Sequence, residues 1–192
     1  YIDLYQIHRS DVLTNIEDTL RAMDDLVRQG KVRYIGCSNL PAWELMKALG
    51  TSRAQHLERF RSTQSFYSLA GREIERDTIP LLKDQGLGLL VWSPLAGGFL
   101  SGKFTRDGEG TGRRKTFDFP PINKDKGFDI VAVLAEIAKA KNASVPQIAL
   151  AWVLANSAVT SVIIGARKME QLEDNLGAVE VQLTEAELAS LN

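Results

Sequence analysis

The stretch Ile2-Asp3-Leu4-Tyr5-Gln6-Ile7-His8-Arg9-Ser10-Asp11 reads as an apolar strand that ends in a histidine. Side chains alternate along a strand, so Leu4, Gln6 and His8 share one face and Asp3, Tyr5 and Ile7 the other. His8 stands at the C-terminal end, where sheets built from βα units hold their ligands. Taken alone, a strand-end histidine is more often a structural residue bonded to a neighbour. A strand set against the first residue leads us to expect a piece of a longer chain.

Outward from this strand the chain alternates. Thr14-Asn15-Ile16-Glu17 has the form of a capping box and predicts a helix through about Gln29, with Ile16, Leu20, Met23 and Leu26-Val27 as its apolar stripe. Lys31 to Cys37 predicts a second strand that runs into Ser38-Asn39. Pro41 suits the first turn of a helix to about Leu49, and Thr51 to Phe60 carries little signal. Ser62 to Tyr67 predicts a third strand, and Asp77 to Gly86 a helix with Pro80 in its first turn. Leu87 to Trp92 is a nearly continuous apolar strand of the kind buried in a helix-covered parallel sheet. Ser93 to Asp129 predicts a long functional loop with a Phe117-Asp118-Phe119-Pro120-Pro121 patch. Helices are expected from about Phe128 to Lys141 and, after the Ser144-Val145-Pro146-Gln147 box, to Ala155. Thr160 to Ile164 predicts a fifth strand and Lys168 to Leu176 a helix, and a Thr184/Glu187 box opens the last helix.

The strand-end residues His8, Asn39, Gln64 and Trp92 lie 31, 25 and 28 residues apart, the period of repeated βα units. Five strands fall short of the eight strands and ~250 residues of a (β/α)₈ barrel. An open doubly wound sheet is the alternative, but no strand is followed by a G-x-G-x-x-G turn. We therefore expect five parallel strands, adjacent in chain order, each crossed by a helix.

Composition narrows the function classes. Hydrophobic residues make up 44% and charged residues 24% of the 192, with a net charge of -1, as in ordinary globular domains and without the footprint of a nucleic-acid binder. The single Cys37 excludes an internal disulfide framework and suits a reducing, cytoplasmic setting. No segment predicts a membrane span or a metal site.

Five motifs together resemble the aldo-keto reductase family. They are Asp3-Leu4-Tyr5-Gln6-Ile7-His8, Gly36-Cys37-Ser38-Asn39, Gln64 with Tyr67-Ser68, Trp92-Ser93-Pro94-Leu95-Ala96-Gly97-Gly98, and Ile164-Gly165-Ala166-Arg167 through Gln171 to Asp174-Asn175. Their wording is most similar to bacterial general reductases and the potassium-channel β-subunit branch. The resemblance implies a (β/α)₈ TIM barrel of the aldo-keto reductase type, α/β in class. This chain would supply about strands 4–8, as one domain over residues 1–192 with strands 1–3 missing.

It further implies an NADP-dependent oxidoreductase that transfers a hydride between nicotinamide and a small-molecule aldehyde or ketone, with no nucleic-acid or membrane partner. Alternatives are a nucleotide-binding regulatory subunit resembling the channel β-subunits, or a non-functional fragment. His8 takes the histidine role of the family's Asp, Tyr, Lys and His tetrad, and the first three of these have no counterpart here. Ser38, Asn39 and Gln64 are expected at the nicotinamide carboxamide, for which short polar side chains supply donors and acceptors. Trp92 offers a face for the nicotinamide ring. Ser93, Pro94, Leu95, Ala96 and Gly97 form a small-residue turn for the pyrophosphate, with Lys103 and Arg113 as cations that close over it. Gly165 and Arg167 are expected at a 2′-phosphate, and Gln171, Asp174 and Asn175, at i, i+3 and i+4, at the adenine edge. Cys37 is read as a buried structural thiol.

Overall fold

The structure, a computed structural model, describes residues 1–107, 110 and 112–192, except for the side chain of Arg113. Its strands are β1 (Ile2–Ile7), β2 (Val32–Ser38), β3 (Phe60–Phe66), β4 (Gly88–Trp92) and β5 (Val159–Ile163). Its α-helices are α1 (Ile16–Arg28), α2 (Ala42–Gln55), α3 (Thr78–Gln85), α4 (Lys124–Lys141), α5 (Val145–Leu154), α6 (Met169–Leu176) and α7 (Glu185–Leu191). The five strands stand in one sheet in chain order, and β1–β2 and β2–β3 are parallel, as the βα period predicts. By contact density the chain divides into two compact units, Tyr1–Ser65 with Ile74–Leu90, and Phe66–Glu73 with Val91–Asn192.

In the first unit, α1 buries Leu20 and Met23 and keeps Glu17 and Arg21 paired one turn apart on its outer face. The expected Thr14 box does not form. Asn15 is the cap, accepting from the N–H of Glu17, while the Thr14 hydroxyl donates to Asp11. Asparagine is as good a cap as threonine, and Asp11 draws Thr14 away. Helix α2 continues six residues past Leu49, to Gln55, because Ser52 is buried and its hydroxyl donates to the Glu58 carbonyl. That contact leaves no trace in apolar periodicity.

Strand β3 begins at Phe60, two residues earlier than predicted. Between Ile35↔Phe60 and Cys37↔Thr63 it carries one extra residue, a bulge, after which Ser38 pairs with Gln64. The bulge presses Ser62 onto Gly36. A Cβ at Gly36 would lie 2.9 Å from the Ser62 hydroxyl and 3.0 Å from its carbonyl oxygen. Gly36→Ala is therefore expected to cost about 1–3 kcal/mol, as overpacking does. Urea denaturation measures it, and an unchanged midpoint refutes the crowding argument. Beside this contact Cys37 is wholly buried, its thiol facing the Ser62 carbonyl, and burial pushes its pKa up to about 11. It is a packed thiol, as its sequence neighbours predict.

The second unit centres on α5, whose residues Ile148 to Val153 are all buried. Ser144 and Gln147 form the predicted capping box, and Thr184 with Glu187 forms another at α7. Tyr67, 1% exposed, packs on the Trp152 ring and receives a hydrogen bond from the Asn156 amide. The long segment after β4 holds more order than its composition suggests. Short 3₁₀ turns occupy Ala96–Ser101 and Arg113–Lys115, and α4 starts at Lys124, capped by Asn123, four residues before the expected point. Among the described residues, no helix is long and apolar enough to cross a membrane, and no cluster of three or more His, Cys, Asp or Glu could hold a metal ion.

Candidate functional site

In the first unit the ends of β1, β2 and β3 converge on one knot of hydrogen bonds. Asn39 follows β2 with a φ of 58°, a left-handed conformation that asparagine tolerates better than most residues. From there its amide nitrogen donates to the His8 carbonyl at 3.2 Å and to the Ser38 hydroxyl at 2.9 Å. The Ser38 hydroxyl in turn donates to the Gln64 carbonyl at 2.8 Å, which also receives the Asn39 N–H at 3.0 Å. Neither Ser38 nor Asn39 caps α2, whose N-cap is Pro41.

This knot fixes three strand ends and leaves chemistry on them. The His8 ring is exposed, Ser38 is buried, and Gln64 is half-buried. Among the described residues none bonds the Gln64 side-chain amide, which keeps a donor and an acceptor for a ligand. Ser38 has given its proton and accepted one bond, so one lone pair remains. Tyr5 points to the other side of β1 from Gln6 and is 45% exposed. The structure thus brings His8, Ser38, Asn39 and Gln64 together.

In the second unit Trp92 ends β4, half-buried and flanked by Phe66 at 5.1 Å and Phe119 at 5.6 Å. The Phe119 ring is within 7° of parallel to the indole, and Phe117 adjoins it at 5.5 Å. The turn after Trp92 is wound tightly, with positive φ at Ser93, Ala96, Gly97 and Gly98. Several of its N–H groups are already used. Ala96 donates to the Ser93 carbonyl, Gly97 to the Ser93 hydroxyl, and Gly98 to the Leu95 carbonyl. Pro94 has no N–H, so the backbone donors expected for a pyrophosphate are fewer than the small-residue composition suggests.

Arg114, which sequence reasoning passed over in favour of Arg113, organises this turn. Its guanidinium is buried and donates to the carbonyls of Ala96 at 2.8 Å and Pro120 at 2.9 Å and to the Asp118 carboxylate. Lys124 pairs with Asp118 at 2.6 Å. The Lys124 ammonium, the largest influence, together with the Arg114 guanidinium holds the Asp118 carboxyl below the usual carboxylate range against the opposing effect of burial. The signal that could have found Arg114 is its i, i+4 spacing to Asp118, weak in a segment rich in exposed Arg and Lys. The Arg113 side chain lies outside the described residues, and Lys103 is exposed.

Gly165, Ala166 and Arg167 precede α6 as an exposed turn. Gln171 reaches back to accept the Arg167 N–H at 3.0 Å. The Asp174 carboxylate accepts from the Ser144 hydroxyl at 2.8 Å, and its carbonyl from the Gln147 amide. Asn175 is 8% exposed. Gln171 and Asp174 therefore have structural duties on α6, whereas the Arg167 side chain is exposed and, among the described residues, forms no ion pair.

Comparison with known proteins places this arrangement. A profile of the aldo/keto reductase family matches residues 1–192. An uncharacterized oxidoreductase of Bacillus subtilis, YrpG, is 40% identical over 195 residues, 100% of this chain and 58% of that protein. Norsolorinic acid reductase B of Dothistroma septosporum is 34% identical over 197 residues, 100% of this chain and 48% of that protein. The crystal structure of a thermostable aldo-keto reductase with the inhibitor epalrestat matches with a TM-score of 0.78 at 33% identity, covering 100% of this chain and 59% of that one. The chain spans about half the length of the curated relatives it matches. A βα sheet in chain order and a family match over every residue agree: the chain belongs to the aldo/keto reductase family.

Proposed function

We propose that the chain is the cofactor-holding part of an NADP-dependent oxidoreductase that transfers a hydride between nicotinamide and an aldehyde or ketone. The observation that carries this reading is the Gln64 amide, held at a strand end beside Ser38 and Asn39 with its donor and acceptor both unused among the described residues. That donor set fits a carboxamide, which needs one partner of each kind. Bound nicotinamide supplies the hydride. The chain's own residues bind and orient. Gln64 would pair with the carboxamide, and the remaining Ser38 lone pair would accept from it. His8 donates a hydrogen bond to the carbonyl oxygen of the substrate and fixes its direction. In the second unit, Arg167 carries a positive charge that no described residue pairs, suited to a phosphate.

The family's Asp, Tyr and Lys have no counterparts among these residues, and neither Tyr5 nor buried Tyr67 replaces the proton donor. The 192-residue chain is expected to bind NADPH and to turn over little or no carbonyl substrate. Gln64→Met keeps the side-chain length but removes both polar atoms. It is expected to weaken NADPH about tenfold, the worth of one or two neutral hydrogen bonds, with folding unchanged. Fluorescence titration of NADPH reads this, and equal affinity for the two proteins overturns the assignment. Steady NADPH oxidation with an aromatic aldehyde, abolished in His8→Ala, overturns the expectation of inactivity.

A further inference from the structure

A second cavity lies in the first unit, away from the strand C-termini. It measures about 460 Å³ and is walled by one side of α2 from Met46 to Arg53, the connection into β3 and its first residues, and the last residue of α3. That is within the ~300–1,000 Å³ range of small-molecule sites. Its apolar floor is Met46, Leu49 and Leu57, and Gly50 leaves the α2 side open, with nothing within 4 Å of where a Cβ would stand.

Three arginines, Arg53, Arg59 and Arg61, line the same cavity. Glu58 is the one acid among its lining residues, and it is taken by Arg61, whose guanidinium donates to one Glu58 oxygen at 2.8 and 3.1 Å. Arg59 is half-buried and is held by the Gln85 carbonyl at 2.9 Å. That acceptor aims the guanidinium without neutralising it. The Arg53 side chain, among the described residues, has no bonding partner. Three arginines thus stand at one cavity with a single carboxylate, and among the described residues neither Arg53 nor Arg59 forms an ion pair. Unanswered charge of one sign, focused by low-dielectric walls, concentrates ligands of the other. Guanidinium forks match the oxygens of a phosphate, and the apolar floor suits an organic body attached to it.

We propose that this cavity binds a small phosphate monoester, its phosphate between Arg53 and Arg59 and its organic part on Met46 and Leu49. It is a site separate from the one assigned to the nicotinamide cofactor, and it needs nothing from the second unit.

Phenyl phosphate and inorganic phosphate are the probes, titrated calorimetrically into the chain. Phenyl phosphate is expected to bind at one site, more tightly than inorganic phosphate, because the ring adds burial on the floor. Arg53→Gln and Arg59→Gln are each expected to weaken it about tenfold or more, the effect of a lost charge-assisted hydrogen bond. Arg53 holds no other part of the fold, so its variant tests binding without a folding penalty. Arg167→Ala is expected to leave this binding unchanged. Loss of phenyl phosphate binding in Arg167→Ala, with retention in Arg53→Gln, would assign the anion to the cofactor site and overturn the proposal. Absence of saturable binding, or equal affinity for both probes, overturns it too.

Discussion

Replacing Arg114 by methionine is expected to destabilise the anchoring of residues 112–120 on the turn at Ala96 by about 2–5 kcal/mol. The magnitude comes from what the guanidinium leaves behind. Methionine keeps an apolar stem near Phe99, which the guanidinium approaches at 5.7 Å. The carbonyls of Ala96 and Pro120 then lose their donor in a buried place. Each such orphan costs about 1–3 kcal/mol. Asp118 adds little, because it is half-exposed and retains Lys124. The turn and the segment over it are pressed so close that a Cβ on Gly97, at φ 66°, would come 2.5 Å from the Phe119 carbonyl oxygen. Arg114 fills the remaining space and fixes how Phe119 meets Trp92. Amide hydrogen exchange over residues 112–120 is the measurement, with near-ultraviolet dichroism to follow the Trp92–Phe119 pair. Unchanged protection in Arg114→Met shows that the segment is held by other contacts. Because the Asp118 carboxyl titrates below its ordinary range, its contribution is complete above about pH 4 and is lost as pH falls through the lowered value. That loss is expected to be small, because Asp118 is half-exposed and the Arg114 bonds to the Ala96 and Pro120 carbonyls remain.

The strands and their order were legible because β1, β2 and β4 are rich in apolar residues, and because the strand ends recur at a βα period. His8, Ser38, Asn39 and Gln64 were legible for the same reason. Parallel strands with crossover helices must bring successive C-termini side by side. What the pattern could not show is how those residues bond. Asn39 acts as a strut between β1 and β2, through a left-handed backbone and two side-chain bonds that strand spacing does not record. Asp174 reads as an exposed helix residue until α5 is placed beside it and Ser144 takes its carboxylate. Arg114 was hidden by composition, since one buried guanidinium among exposed Arg and Lys has no signature of its own. Helix α2 ran past its apolar stripe because its last turns are held by Ser52, a polar contact with a residue beyond the helix. The hidden features share a cause. They are polar bonds made across elements, and apolar periodicity records only which face is buried.

Arg167→Ala is expected to weaken NADPH binding by roughly ten- to a hundredfold and to leave NADH binding nearly unchanged, which makes Arg167 the discriminator under the proposed function. The side chain is exposed, one residue before the N-cap of α6, on a turn whose backbone is pinned by Gln171 accepting the Arg167 N–H at 3.0 Å. That bond matters because it places the guanidinium without using it. A dianionic 2′-phosphate there meets a planar fork able to give two hydrogen bonds at once. Lys168 adds a charge but lacks the fork, so it retains only part of the affinity when Arg167 is removed. Exposure sets the discount. Water and salt screen an exposed pair, which puts the effect toward tenfold at physiological ionic strength and higher in dilute buffer. NADH carries no 2′-phosphate, so its affinity reports any general damage to the turn. Fluorescence titration of both cofactors against both proteins, at two salt concentrations, separates the possibilities. A selective, salt-sensitive loss for NADPH supports Arg167 as the phosphate ligand. An equal loss for both cofactors means that the residue holds the turn rather than the phosphate, and NADP specificity must then come from elsewhere in the chain.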